Sequence, residues 1–83
     1  MKLYLLTRPE NNPASDDEYI GAVVCAESKN QARMIHPNGT HNYNEINCMF
    51  KFWIPSNDVI VTYLGEADKS VEKGVILDSS VGG

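Results

Sequence analysis

Apolar residues gather in separated runs along this chain, and the runs differ in period. Residues 2–8 (KLYLLTR), 18–26 (EYIGAVVCA) and 59–64 (VIVTYL) are short, rich in aliphatic and aromatic residues, and bounded by Pro, Asn, Asp or Gly. Such runs predict strands. After the second run the pattern changes. Ser28 and Gln31 stand at the spacing of a capping box, in which the hydroxyl accepts from the amide three residues on and the Gln side chain reaches back. Pro37 ends what begins there, because the residue before a proline is pushed out of helical angles. A short helix over residues 29–35 is expected, with Ala32 and Ile35 on its buried face and Met34 at the flank. Residues 48–54 (CMFKFWI) alternate. If they are extended, Cys48, Phe50, Phe52 and Ile54 share the inward face and Met49, Lys51 and Trp53 the outward one. Residues 71–78 read as a last strand, paired with 59–64 through the turn at 65–70.

The stretches between the runs have loop chemistry. Residues 10–18 (ENNPASDDE) join the first two strands, for which antiparallel pairing is simplest. Residues 37–47 (PNGTHNYNEIN) form a surface loop, and 55–58 (PSND) a turn. The fold class that follows is α+β: a four- or five-stranded, mainly antiparallel sheet with one short helix packed on one face. Residues 1–83 make a single domain, with 79–83 as a frayed tail.

Length and charge narrow the functional classes. A domain of 83 residues buries only roughly 60% of its unfolded surface, so its stability is modest and a partner can add to it. The formal net charge of −4 argues against an exposed nucleic-acid groove, which needs Lys and Arg against phosphates. It suits a partner with a basic surface, although solubility alone also explains it. The two cysteines, Cys25 and Cys48, are too few for a disulfide scaffold and point to a reducing, cytoplasmic setting. The first residues, MKLYLLTRPE, lack a signal peptide's cleavage site, and no apolar stretch approaches a membrane span.

Candidate chemistry is sparse. Cys25, His36, His41 and Cys48 lack the close pair spacing of a structural zinc site, so no metal is expected. A Cys–His nucleophile pair has no orienting third group, and His36 is placed better as a structural residue after the helix. No glycine-rich phosphate cradle is present, so neither a catalytic set nor a cofactor is expected. Asp16, Asp17 and Glu18 form one acidic group and Glu66 with Asp68 another, both in loops where solvated turns are the ordinary outcome. Met49 and Trp53, with Tyr43 in the Asn-rich loop, are the candidate apolar anchors for a partner; for Trp53 the alternative is that it closes the core edge.

Four segments, KLYLLTRPE, EYIGAVVCAESKNQARMIHPNG, VIVTYLGEAD and KGVILDSS, resemble small acidic proteins encoded by bacteriophages. The resemblance carries no catalytic residues. It implies a protein made in the cytoplasm of an infected bacterium that binds and disables a host protein, as anti-CRISPR-like inhibitors do with defence nucleases. The expectation is therefore a stoichiometric binder of a host bacterial protein, with Met49, Trp53, Tyr43, Asp16, Asp17, Glu18, Glu66 and Asp68 as contact residues. Two other classes stay open. One is a small enzyme or a binder of a small ligand such as a nucleotide signal; the other is a structural subunit that oligomerises through a sheet edge.

Overall fold

The structure, a computed structural model, describes residues 1–39 and 52–81. Four strands make one antiparallel sheet: β1 (Lys2–Thr7), β2 (Tyr19–Ala26), β3 (Ile60–Glu66) and β4 (Gly74–Ser80). Their order across the sheet is β3-β1-β2-β4. One helix, α1 (Lys29–Arg33), and a single 3-10 turn at Ser56–Asp58 complete the regular structure among the described residues. The α+β class and the single helix on one face are as the sequence implies. No helix among the described residues is long and apolar enough to cross a membrane.

The capping box forms with one adjustment. Ser28 Oγ accepts from the Gln31 amide at 3.2 Å, while Gln31 Oε1 accepts from the Glu27 amide at 2.7 Å, one residue before the cap. The helix is shorter than expected. Beyond Arg33, Met34 and Ile35 donate to Gln31 and Ala32, so the chain tightens into i→i+3 bonds before Pro37. Ala32 and Ile35 are buried, as their spacing requires.

The last strand pairs differently from the sequence expectation. β4 lies against β2, on the sheet edge opposite β3. The seven residues 67–73 cross under the sheet end between them. Seven residues reach at most about 25 Å, and three strand spacings need about 14 Å, so the crossing is unstrained. It is pinned at both sides: the Ala67 amide donates to the Met1 carbonyl at 3.0 Å, and Cys25 Sγ lies 4.0 Å from the Val71 carbonyl oxygen. Pairing with β2 also packs Val75 against the core. Residues 79 and 80 are strand rather than frayed tail. Val81 continues the pairing, donating to Glu18 and accepting from Asp17.

Side chains alternate across the sheet in rows set by the register. Tyr63–Tyr4–Val24–Val75 and Val61–Leu6–Ala22 form the covered face, beneath α1, Ile35, Trp53, Ile54 and Val59. The opposite face carries Thr62–Leu5–Val23–Leu77 and Ile60–Thr7–Gly21–Ser79. Its third row, Leu3 beside Cys25, sits at the end crossed by residues 67–73. Cys25 is thus buried on the side away from the main core.

Residues 48–51 of the expected aromatic strand lie outside the described residues. Phe52 is at φ 70°, in the left-handed region, and residues 52–54 are turn and coil. A left-handed residue breaks the two-residue alternation on which the inward and outward assignments rest. The outcome at the two described aromatics is inverted: Trp53 is 3% exposed and Phe52 47%.

Candidate protein-docking face

The covered face is closed by an arrangement that no motif announces. Arg8 leaves the end of β1 with its side chain almost wholly buried. Its Nε donates to the Tyr19 carbonyl at 2.6 Å, Nη1 to the Asn12 carbonyl at 3.3 Å and Nη2 to the Phe52 carbonyl at 3.4 Å. Nη2 also stands 3.7 Å from a Glu18 carboxylate oxygen, and the guanidinium lies 5.4 Å from the Trp53 ring centroid. One rigid cation thereby joins β1, the 9–18 loop, β2 and the aromatic segment. Trp53 Nε1, buried beneath it, has no hydrogen-bond partner among the described residues. Only the general link between Pro-flanked basic residues and strand ends was available in the sequence, and that does not single out Arg8.

His36 is a structural residue, but not through a helix dipole. The helix ends three residues earlier, and the His36 ring is buried edge-on to Tyr19, with Nδ1 accepting from the Asn38 amide at 3.1 Å.

The acidic candidates are not brought together. Asp16, Asp17 and Glu18 lie at the sheet end where Thr7 pairs with Gly21, and Glu66 lies at the other end, opposite Lys2. Glu18 is partly committed, to Arg8 and to the Ser15 amide at 2.7 Å. Glu66 accepts from the Tyr63 hydroxyl at 2.6 Å, and that bond holds the phenol's pKa above its ordinary value. Asp68 accepts from the Ser70 amide and then the Ser70 hydroxyl, and these hold its carboxyl below the usual carboxylate range. Such a pair of separated, self-satisfied turns is not one acidic array. Met49 and Tyr43 lie outside the described residues, and Trp53 is buried rather than presented as an anchor. Among the described residues no group of three His, Cys, Asp or Glu is placed to hold a metal ion.

What the structure does present is the other face of the sheet. Leu77 is 67% exposed there and Ile60 47%. The register slips at three places, each by one residue, which leaves Ile20, Leu64 and Ile76 outside the ladders. All three are large aliphatics near half exposure. Bulges re-aim side chains and twist strands, so this coincidence of bulge and exposed aliphatic marks a shaped surface rather than a defect. Gly21 shows how tight the backbone is beneath it: a Cβ added there would stand 2.6 Å from the Leu6 carbonyl oxygen.

Two hollows open on this face. One, of about 210 Å³, lies among Leu5, Ile20, Val23 and Leu77. The second, of about 320 Å³, lies among Pro9, Pro13, Ala14 and Val81, with Glu10 in its lining. Thr7 and Ile20 border both, so Ile20 stands between them as a shared wall. No lysine lines either hollow, and Arg8, which borders the second, is held by its carbonyl and carboxylate partners. That lining offers a phosphate no cation that is not already paired. No protein-family model, curated protein or solved structure matches this chain.

Proposed function

We propose that this chain is a protein-binding domain that acts by stoichiometric contact, with the uncovered face of its sheet as the docking surface. The observation that carries this is the run of exposed aliphatics, Ile20, Ile60 and Leu77, around two mainly apolar hollows on a face that no helix among the described residues covers. Contiguous apolar surface of this kind marks interaction sites in small proteins. β1 and β2 support it from the sequence side. They are apolar on consecutive positions, as strands covered on both faces are. The resemblance to phage-encoded proteins supplies the finer form: an inhibitor or adaptor that occludes a bacterial host protein in the cytoplasm. Oligomerisation through a sheet edge is less favoured, because both outer strands are bulged and bulges blunt edge pairing.

The test is capture from a bacterial lysate by tagged wild-type protein and by Leu77→Glu. A partner retained by the wild type in near-equal amount and lost by the folded variant supports docking through this face. Equal retention by both places the interface elsewhere.

A further inference from the structure

The two hollows and the charge distribution around them say what kind of surface fits. Both hollows are mainly apolar, and each has one carboxylate in its lining: Asp78 in the one among Leu5, Ile20, Val23 and Leu77, and Glu10 in the one among the prolines. That second hollow lies at the loop end of the sheet. Asp16 and Asp17 are exposed in the same 9–18 loop, and Asp58 precedes β3 at the same end. The described cations there are Arg8 and Arg33. Arg8 is bound to three carbonyl groups and Glu18, and Arg33 to the carbonyls of Ser56 and Val59. The described lysines, Lys2, Lys29, Lys69 and Lys73, lie in β1's first residue, at the start of α1 and in the crossing segment, all toward the far end. The face is therefore apolar with a carboxylate beside each hollow, and further carboxylates gather at its loop end.

We infer that the occupant of this face is a cationic amphipathic segment of the partner. It would seat two apolar side chains on either side of Ile20 and set Lys or Arg groups against Glu10 and Asp78. This rests on the reading of the uncovered face as a docking surface and names the chemistry it takes. Apolar contact in the hollows supplies the bulk of the attraction. The acidic loop end sets the direction of the segment and excludes an acidic one, since like charges across an interface are strongly unfavourable. A second copy of this chain is a poorer occupant, because it brings the same acidic loop end and a net charge of −4.

The experiment titrates two synthetic peptides of one amphipathic helical pattern into isotope-labelled protein, one of leucine and lysine, the other of leucine and glutamate. Backbone amide shifts report where each binds. The expected result is binding of the lysine peptide at least roughly tenfold tighter than the glutamate peptide, weakening as salt rises. Shifts should concentrate at Leu5, Ile20, Val23 and Leu77. The double variant Glu10→Lys with Asp78→Lys, both at exposed positions, should remove the preference while leaving the chain folded. Equal binding of the two peptides, or binding of neither, overturns the inference. So does a concentration-dependent doubling of mass that Leu77→Glu abolishes, which assigns the face to a second copy. If the peptides fail but Leu77→Glu still loses the lysate partner, the docking surface stands and only its assigned chemistry falls. If Leu77→Glu also keeps that partner, the docking surface falls with it.

Discussion

The two faces of the sheet use the same four strands and both carry large aliphatics, yet among the described residues only one is a core. On the covered face, Tyr4, Leu6, Ala22 and Val24 meet Ile35, Trp53, Ile54 and Val59, and all eight are buried. On the other, Leu5 and Val23 are half-buried, and Ile60 and Leu77 are largely in solvent. Composition separates these faces only in part, through Thr7, Thr62, Gly21 and Ser79 on the second. The rest of the difference comes from the chain that follows β2: α1 and residues 52–59 return to one side, where Arg8 holds Phe52 and Trp53 and Arg33 ties α1 to Ser56 and Val59. A small domain that leaves so much aliphatic surface uncovered forgoes stability it has little of, which is the usual mark of a surface kept for a partner. The difference teaches that apolar pattern says a strand will be covered, but not by whom.

The contrast can be broken most forcefully at Trp53. Trp53→Ala should cost about 3–5 kcal/mol, enough to unfold a domain of this size, because a large buried ring is replaced by a cavity. Phe52→Ala, one residue away but exposed, should move stability by less than about 0.5 kcal/mol. Chemical denaturation of the two variants decides it, and the emission of the single tryptophan in the free protein should already lie at the blue end.

Arg8→Met comes next. It keeps the length of the side chain but strands the carbonyls of Tyr19 and Phe52 and leaves Glu18 without its cation. A loss of about 2–3 kcal/mol is expected, since hydrogen bonds to a charged group exceed neutral ones. Calorimetry measures it. An unchanged melting temperature would mean the covered face closes without its clasp. Gly21→Ala probes the backbone shared by both faces. The new methyl meets the Leu6 carbonyl oxygen on the neighbouring strand, and about 1–3 kcal/mol should be lost in the denaturation midpoint as β1 and β2 part. Ser28→Ala removes the acceptor for the Gln31 amide and should cost about 1 kcal/mol, a loss seen in global unfolding because five helical residues do not persist alone.

The local elements were legible in the sequence wherever one residue dictates its own surroundings. Ser28 and Gln31 announced the helix start and the β-branched run before Gly65 a strand, whereas the helix stops at Arg33, ahead of the end that Pro37 suggested. Strand partnership was not legible. Whether β4 joins β2 or β3 depends on a crossing segment held by Met1 and Cys25, and neither residue type carries that information locally. The aromatic segment misled for a similar reason. Alternation assumes extended backbone, and with a left-handed Phe52 the assignments of Phe52 and Trp53 are reversed, while Ile54 is buried as expected. Of the residues singled out as contacts, Trp53 is buried, Tyr43 and Met49 lie outside the described residues, and the carboxylates are split between the two ends of the sheet. Leu77, Ile20 and Ile60 escaped notice because an exposed aliphatic in a strand looks the same in sequence as a buried one, and the bulges that expose Ile20 appear only once register is known.

Leu77→Glu offers the most direct measurement of the difference between the faces. The residue is two-thirds exposed in the middle row of the uncovered side. Denaturation and partner capture should be measured on the same preparation. The expected result is a denaturation midpoint within about 0.5 kcal/mol of wild type together with loss of the captured partner. A fall in stability comparable to that of a covered-face truncation, or full retention of the partner, would contradict the assignment of this face to docking.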